Sequence, residues 1–360
     1  MQNGLNALLK AILLKRNDML IVRPARTDDL ESFIKLARAA GPGFTSLAVP
    51  DSDLEDRLAK SVKSFAEDID APADHIYLLM LEDSETGEIV GVSAVKAKVG
   101  LNKPFFSFKL LKIAQSSSAA NRHFDMNVML LVNEYSGTSE VGTLFVKSKM
   151  RGTGAGRLIS QARYMLIATA PERIADTIIS ELRGRVDKEG HSPFWESLGR
   201  KFFKMDFNEA DEITAQTDNQ FITDLMPKYP IYLDLLTDEA QEVVGKTHPD
   251  GVGARRLLEA EGFRFDGYVD IFDGGPTLAA PRDQIRTVKD SHVLTVVEQS
   301  DSKPTHQALV SNENVKEFRA VFAKVSFEDD GLHLSADVID ALQLMSGDKA
   351  RVFATRIGIS

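Results

Sequence analysis

The feature that most narrows what this chain can fold into is a glycine-rich turn between an apolar strand and an amphipathic helix. Residues 141–146 (VGTLFV) read as a strand, and Arg151-Gly152-Thr153-Gly154-Ala155-Gly156-Arg157 follows almost at once. Leu158, Ile159, Ala162, Met165 and Leu166 then recur at helical spacing. The first N–H groups of a helix have no partner inside it, and their partial positive charge makes an anion site. Glycine lets a pyrophosphate approach such a backbone without meeting a Cβ. Arg151 and Arg157 can add charge-assisted bonds. Arg151, Gly152, Gly154, Gly156 and Arg157 are therefore the candidate phosphate-binding residues. The loop does not read as a dinucleotide fingerprint: it lies mid-chain, opens with arginine and has no run of βαβ units around it. No Lys-Ser/Thr follows, so it is not a Walker loop either.

With 360 residues the chain has room for two domains. Residues 1–18 read as an N-terminal extension, with Met19 a plausible alternative start. Residues 19–23 form a strand, and Asp28 with Glu31 reads as a capping box for a helix carrying Leu30, Phe33, Ile34 and Ala37. Gly41 and Gly43 end that helix. A second helix is expected over 54–65, and strands over 76–81, 89–96 and 129–132. Residues 194–203 and 257–265 each read as a helix ending in glycine and then a strand. From about residue 285 short alternating segments take over (293–297, 307–310, 318–325, 332–334 and 350–354), with one helix near 338–345. The expected architecture is α+β: a mixed domain over 19–285 and a small β-rich, barrel-like domain over 286–360.

Composition excludes several function classes. The net charge is −10 and no strongly basic stretch occurs, which argues against nucleic acid as a partner. There is no cysteine, so disulfides, thiolate zinc sites and a cysteine nucleophile are ruled out, and a cytoplasmic location is expected. The seven histidines show no pair at ligand spacing, so no metal is expected. No apolar run is long enough for a membrane helix, and residues 5–14 lack the features of a signal peptide.

The glycine loop, the opening Arg23-Pro24-Ala25 with Asp28, and Gly262-Phe263 after a helix resemble the GNAT acyl-CoA N-acyltransferases. That resemblance implies a twisted mixed sheet split by a V-shaped opening between its fourth and fifth strands, with pantetheine bonding the backbone of residues 141–146. Longer segments resemble the arginine N-succinyltransferases. Among them are SGTSEVGTLFV (136–146), SPFWESLG (192–199), LMPK (225–228), THP (247–249) and YVDIFDGGPT (268–277). This resemblance runs from about Met19 to the C-terminus. It implies transfer of a succinyl group from succinyl-CoA, a co-substrate rather than a resident cofactor, to the α-amine of L-arginine. It places Leu144 at a succinyl-CoA-binding position and His248 at that of the proton donor.

With no cysteine, direct attack in a ternary complex is the expected route. Glu181, Asp187, Asp270 and Asp273 are candidates for the arginine guanidinium, and Arg183, Ser192 and Lys228 for the succinyl carboxylate. Thr45, Ser46, Ser136 and Ser139 lie in polar loops that suit turns as well as ligand contact, and Trp195 reads as core. The alternatives are an acyltransferase acting on ornithine or another amino acid, and a non-catalytic CoA-binding subunit. The chain is expected to form a homo-oligomer or a hetero-oligomer with a homologous subunit.

Overall fold

The chain enters its sheet at β1 (Leu20–Pro24), where Arg23 is committed to a buried ion network. Its guanidinium donates to both oxygens of Asp29 at 2.7 and 2.9 Å, and Nε donates to Glu82. Asp29 also accepts from the Arg26 N–H at 2.7 Å, so Asp29, not Asp28, shapes the start of α1 (Leu30–Ala40). Asp28 is exposed, and Glu31 pairs with Lys35 on the helix surface. The capping box expected from Asp28 and Glu31 is thus displaced: burial with Arg23 selects the neighbouring aspartate. α1 ends at Gly41 with φ +81°, and α2 (Asp51–Ala66) follows. In this computed structural model the described residues are 19–354, apart from 42, 43, 45, 187–190, 208, 211, 212, 214–219 and 299–303. Gly43, Thr45 and Asp187 lie outside them.

The remaining strands of the mixed region are β2 (Ile76–Asp83), β3 (Ile89–Lys96), β4 (Ser107–Ser117), β5 (Arg122–Val132), β6 (Ser139–Val146), β7 (Thr177–Glu181), β8 (Ile231–Tyr232), β9 (Arg264–Val269) and β10 (Pro276–Pro281). β11 (His292–Glu298), β12 (His306–Asn312), β13 (Ala320–Glu328), β14 (Gly331–Leu334) and β15 (Lys349–Ala354) follow. They hydrogen-bond in the order β12-β15-β11-β14-β13-β1-β2-β3-β6-β7-β10-β9-β4-β5-β8. Pairing of β12 with β13 closes the last five strands into a barrel, the β-rich unit expected from the alternating pattern. The barrel is fused to the main sheet through β13, which pairs with β1.

Helix α3 (Ala155–Thr169) packs its apolar face on one side of the sheet, against Val95, Val141, Ile178 and Leu278. α1 and α2 cover part of the other side, against Met80, Val92 and Phe145. A third core forms around Trp195, under the 194–244 segment and the β4–β5 hairpin. Apart from the strand expected over 129–132, that hairpin and strand β7 carry no strong sequence signal: β4 and β5 are largely exposed away from their base, and β7 is five residues long.

The segment at 194–203 also departs from expectation. Gly199 does not end the helix, and no strand follows. Residues 195–199 make a π turn that continues into Arg200–Phe203. A Cβ on Gly199 would sit 2.1 Å from the Trp195 ring, so glycine is there for close packing. The second such segment behaves as expected: α4 (Val252–Ala260) is followed by Gly262 at φ +100° and then β9. Gly199→Ala is expected to lose ~1–3 kcal/mol of stability, the usual range for overpacking, and to shift the emission of Trp195, the single tryptophan. Thermal unfolding followed by fluorescence checks this; an unchanged midpoint and spectrum would mean that the ring has room to move.

Candidate active site

β6 and β7 are the parallel pair at the centre of the sheet, and they part almost as soon as they meet. Their register holds only at Ser139 with Ile178 and Glu140 with Ile179. Two serines brace the closed end: Ser139 Oγ donates to the Ala97 carbonyl at 2.5 Å and accepts from the Ala175 N–H at 2.8 Å. Ser180 Oγ donates to the Val141 carbonyl at 2.8 Å, where backbone pairing has ceased. Beyond that point Gly142, Thr143 and Leu144 are half-buried, and their edge has lost its neighbouring strand. On the other edge, pairing with β3 slips between Val92 and Ala94, so a bulge lies opposite Ser93. Thr143 occupies it at φ +54°, a conformation that a β-branched residue rarely adopts. A bulge re-aims backbone groups, and an unpaired strand edge is a template for an incoming amide.

The glycine loop sits at the C-terminal end of β6, where ligands gather in sheets with parallel strands. Gly152 (φ +82°) and Gly154 (φ +97°) both require the left-handed region, and Gly154 caps α3. The Thr153 hydroxyl accepts weakly from the Ala155 N–H and donates to the Met150 carbonyl. The N–H groups of Gly152, Gly154 and Gly156 have no acceptor among the described residues. No atom lies within 4 Å of a Cβ built on any of the three. Arg151 and Arg157 are exposed beside them, Arg157 with Nε on Gln161 at 3.1 Å. Leu144 packs its side chain toward α3, leaving its backbone at the parted edge.

The face of the sheet opposite α3 carries an acidic group. Glu181, the last residue of β7, shares this face with Glu140 of β6 and Lys96 of β3, which pair at 2.7 Å. Burial holds the Glu181 carboxyl well above the usual carboxylate range, and the nearby charges of Asp270 and Glu140 push the same way. Lys96 opposes them. No hydrogen-bond donor reaches the Glu181 side chain among the described residues, whereas both aspartates are engaged. Asp270 Oδ1 accepts from the Phe272 and Asp273 N–H groups at 2.7 and 2.8 Å. Asp273 accepts from Gly184 at 2.7 Å and from Gly275 at 2.8 Å. Burial raises both carboxyls, and Asp270 raises Asp273 further. These aspartates hold the turn after β9 against the chain leaving β7.

His248 lies beside the segment that leaves β7. Its N–H donates to the Arg183 carbonyl at 2.8 Å, tying the Thr247-His248-Pro249 turn to the segment that leaves β7. Its Nδ1 accepts from the Asp250 N–H at 3.2 Å, which leaves the ring proton on Nε2. The ring is 16% exposed. Burial, helped by the Arg183 charge, lowers its pKa below the ordinary 6.5. Residues 181–186, 245–250 and 270–275, far apart in sequence, thus meet at the C-terminal end of β7.

Other expected residues lie elsewhere. Ser192 is buried and its Oγ accepts from the Trp195 N–H at 3.3 Å, while Lys228 is exposed beyond the short helix Gln220–Leu225. Trp195 is fully buried, with Nε1 on the Met205 carbonyl. Ser136 accepts from the Phe105 N–H, and the Ser46 carbonyl accepts from Arg57. Sequence reasoning missed Glu140 and Lys96. The signal was present: Glu140 interrupts an otherwise apolar strand, SEVGTLFV.

Comparison with known proteins agrees with this geometry. A family model described as the arginine N-succinyltransferase beta subunit matches residues 20–287, and one for its C-terminal domain matches residues 292–354. Arginine N-succinyltransferases of Escherichia coli and Shigella flexneri are 38% identical over 335 residues, covering 93% of this chain and 97% of theirs. The solved arginine/ornithine succinyltransferase subunit AI of Pseudomonas aeruginosa superposes with a TM-score of 0.85 at 34% identity, over 95% of this chain and all of that one. The chain belongs to the arginine N-succinyltransferase family.

Proposed function

We propose that this enzyme transfers the succinyl group of succinyl-CoA to the α-amine of L-arginine by direct attack within a ternary complex. The observation that carries the reading is the early parting of β6 from β7, with the glycine loop at one end of the opening and the acidic group along it. The free amides of Gly152, Gly154 and Gly156, with Arg151 and Arg157, suit the CoA phosphates. The unpaired edge at Gly142–Leu144 suits the pantetheine amides and holds the thioester beside the bulge.

The acidic group suits the other substrate. Glu140, Glu181, Asp270 and Asp273 gather around Lys96, which pairs with Glu140, and an incoming guanidinium would relieve their mutual repulsion. With the aspartates holding the turn, Glu181 is the carboxyl that fits the cation. A guanidinium keeps its proton throughout the accessible range, so the α-amine is the nucleophile. The neutral amine adds to the thioester carbon, a C–N bond forms, and the C–S bond then breaks. One proton leaves the nitrogen and one is needed by the departing thiolate. A histidine that rests neutral can take the first and return it to sulfur, and the environment of His248 keeps it neutral.

A thiol-release assay with succinyl-CoA and either L-arginine or L-ornithine, with the acylated nitrogen identified by mass fragmentation, tests the reading. Turnover to the α-N-succinyl product of arginine supports it. Binding of succinyl-CoA without turnover would point instead to a non-catalytic subunit.

Two variants should separate the two binding regions. Arg151→Ala is expected to raise the KM for succinyl-CoA by roughly 5- to 50-fold, the scale of one charge-assisted bond, and to leave the KM for arginine in place. Glu181→Gln should do the reverse. Parallel changes in both constants would overturn the assignment.

His248→Ala is expected to lower kcat by roughly 10²- to 10⁴-fold. Because burial lowers the imidazole pKa, the neutral form persists at neutral pH and is lost only on acidification. The acid limb of kcat should therefore fall below pH 6.5, and the variant should lack that limb. A kcat loss of less than about tenfold would remove His248 from the mechanism.

A further inference from the structure

A succinyl donor ends in a carboxylate, and the crevice must carry a cation that distinguishes it from a neutral acyl group. Arg57 of α2 meets the requirement. It stands one helical turn from Leu54 and one residue from Leu58, both buried against the sheet in the same apolar layer as Phe145 of β6. The guanidinium is half-buried. It donates to the Ser46 carbonyl, and no carboxylate lies within ion-pair distance among the described residues. Asp53 and Glu140 are near enough to be felt, but neither is bonded to it. Burial lowers its pKa more than those charges raise it. Arg23, by contrast, is held by two carboxylates.

Its surroundings connect it to the parted strands. Ser46 belongs to the same short segment as Phe44, whose ring meets that of Phe145 edge-on at 5.6 Å. Glu140 lies on the sheet face that α2 covers, at the point where β6 leaves β7. A cation with donor capacity to spare therefore stands on the sheet face that α2 covers, near Glu140 where β6 leaves β7. We propose that Arg57 binds the distal carboxylate of the succinyl group and sets the preference for a dicarboxylic acyl-CoA over a monocarboxylic one. This rests on the succinyl-CoA reading above and names the specificity residue of that site.

The test is equilibrium titration of the wild-type chain, Arg57→Met and Arg57→Lys with succinyl-CoA and with butyryl-CoA, which has the same chain length without the charge. Wild type is expected to prefer succinyl-CoA. Arg57→Met should lose that preference, its Kd for succinyl-CoA rising by roughly 10- to 100-fold while its Kd for butyryl-CoA stays within about threefold. Arg57→Lys should keep part of the preference, since it keeps the charge without the planar fork. If Arg57 only anchors the loop at Ser46, both donors will weaken together in Arg57→Met. That result, or a preference that survives the substitution, overturns the proposal. A wild-type chain that binds both donors equally removes the role of Arg57 but leaves CoA binding intact; one that binds neither removes the succinyl-CoA reading itself.

Discussion

Parting two hydrogen-bonded strands in the middle of a sheet leaves backbone groups unsatisfied, and most of the site's architecture follows from how this chain sustains the gap. Each exposed amide or carbonyl must find water, a side chain or a ligand. Here the closed end is fastened by side chains instead of by further ladder bonds. Ser139, within the last paired stretch, and Ser180, just past it, donate to the Ala97 and Val141 carbonyls. The far wall is fixed by Asp273, which clamps Gly184 and Gly275 with its two oxygens. The bulge at Thr143 then turns one open edge further from its neighbour. Strain of this kind persists only where the surroundings over-determine it. The strand is held from both sides, by α3 beneath Val141 and by α1, α2 and Phe44 over Phe145.

The same gap organises charge. One strand, β6, carries a glycine-rich loop with free amides at its end and a buried glutamate at its base, with a partly desolvated arginine near that glutamate. In an acidic chain none of these can rely on net charge for attraction, so each recognition element is local. The proposed phosphate site would use amides and helix polarity, which cost nothing in net charge. In the proposed arginine site, repulsion among the carboxyls would be relieved by a cation. With the proposed CoA site at the loop and the proposed guanidinium site at Glu181, an amine and a thioester would meet at the parted strands, which is what catalysis by proximity requires.

Much of this was legible in the chain before any fold was known. The glycine loop was readable because a helix start that binds anions has a compositional signature, and the barrel because alternating short segments replace helical spacing after residue 285. What escaped was tertiary in origin. Asp29 displaced Asp28 because Arg23, six residues away, needed a buried partner. Gly199 looked like a helix stop because glycine usually ends a helix, whereas here it leaves room for the buried Trp195 ring one turn back. β7 was too short to announce itself, yet it forms one wall of the opening. The acidic candidates could be named, but not separated. Only the turn geometry divides Asp270 and Asp273, which hold backbone, from Glu181, which does not.

The barrel is a last consequence of sheet physics. β1 would be an edge strand of the main sheet, and an apolar edge invites pairing with another chain. Its outer side is taken by β13, itself a member of the closed ring, so the sheet ends in an element without a free edge of its own. At the junction Val22 pairs with Ala320, and Arg319, tied within the barrel to the Ala341 carbonyl, stands close to Arg23 and Arg26. Repulsion from those arginines adds to burial in lowering the Arg319 pKa, and Glu82 and Glu317 oppose it. The barrel is thus joined to the strand that begins the sheet by strand pairing, with a crowded set of charges beside it. Its removal would expose both the apolar edge of β1 and the Arg23 network, so the two regions are coupled in stability although the site is built from one of them.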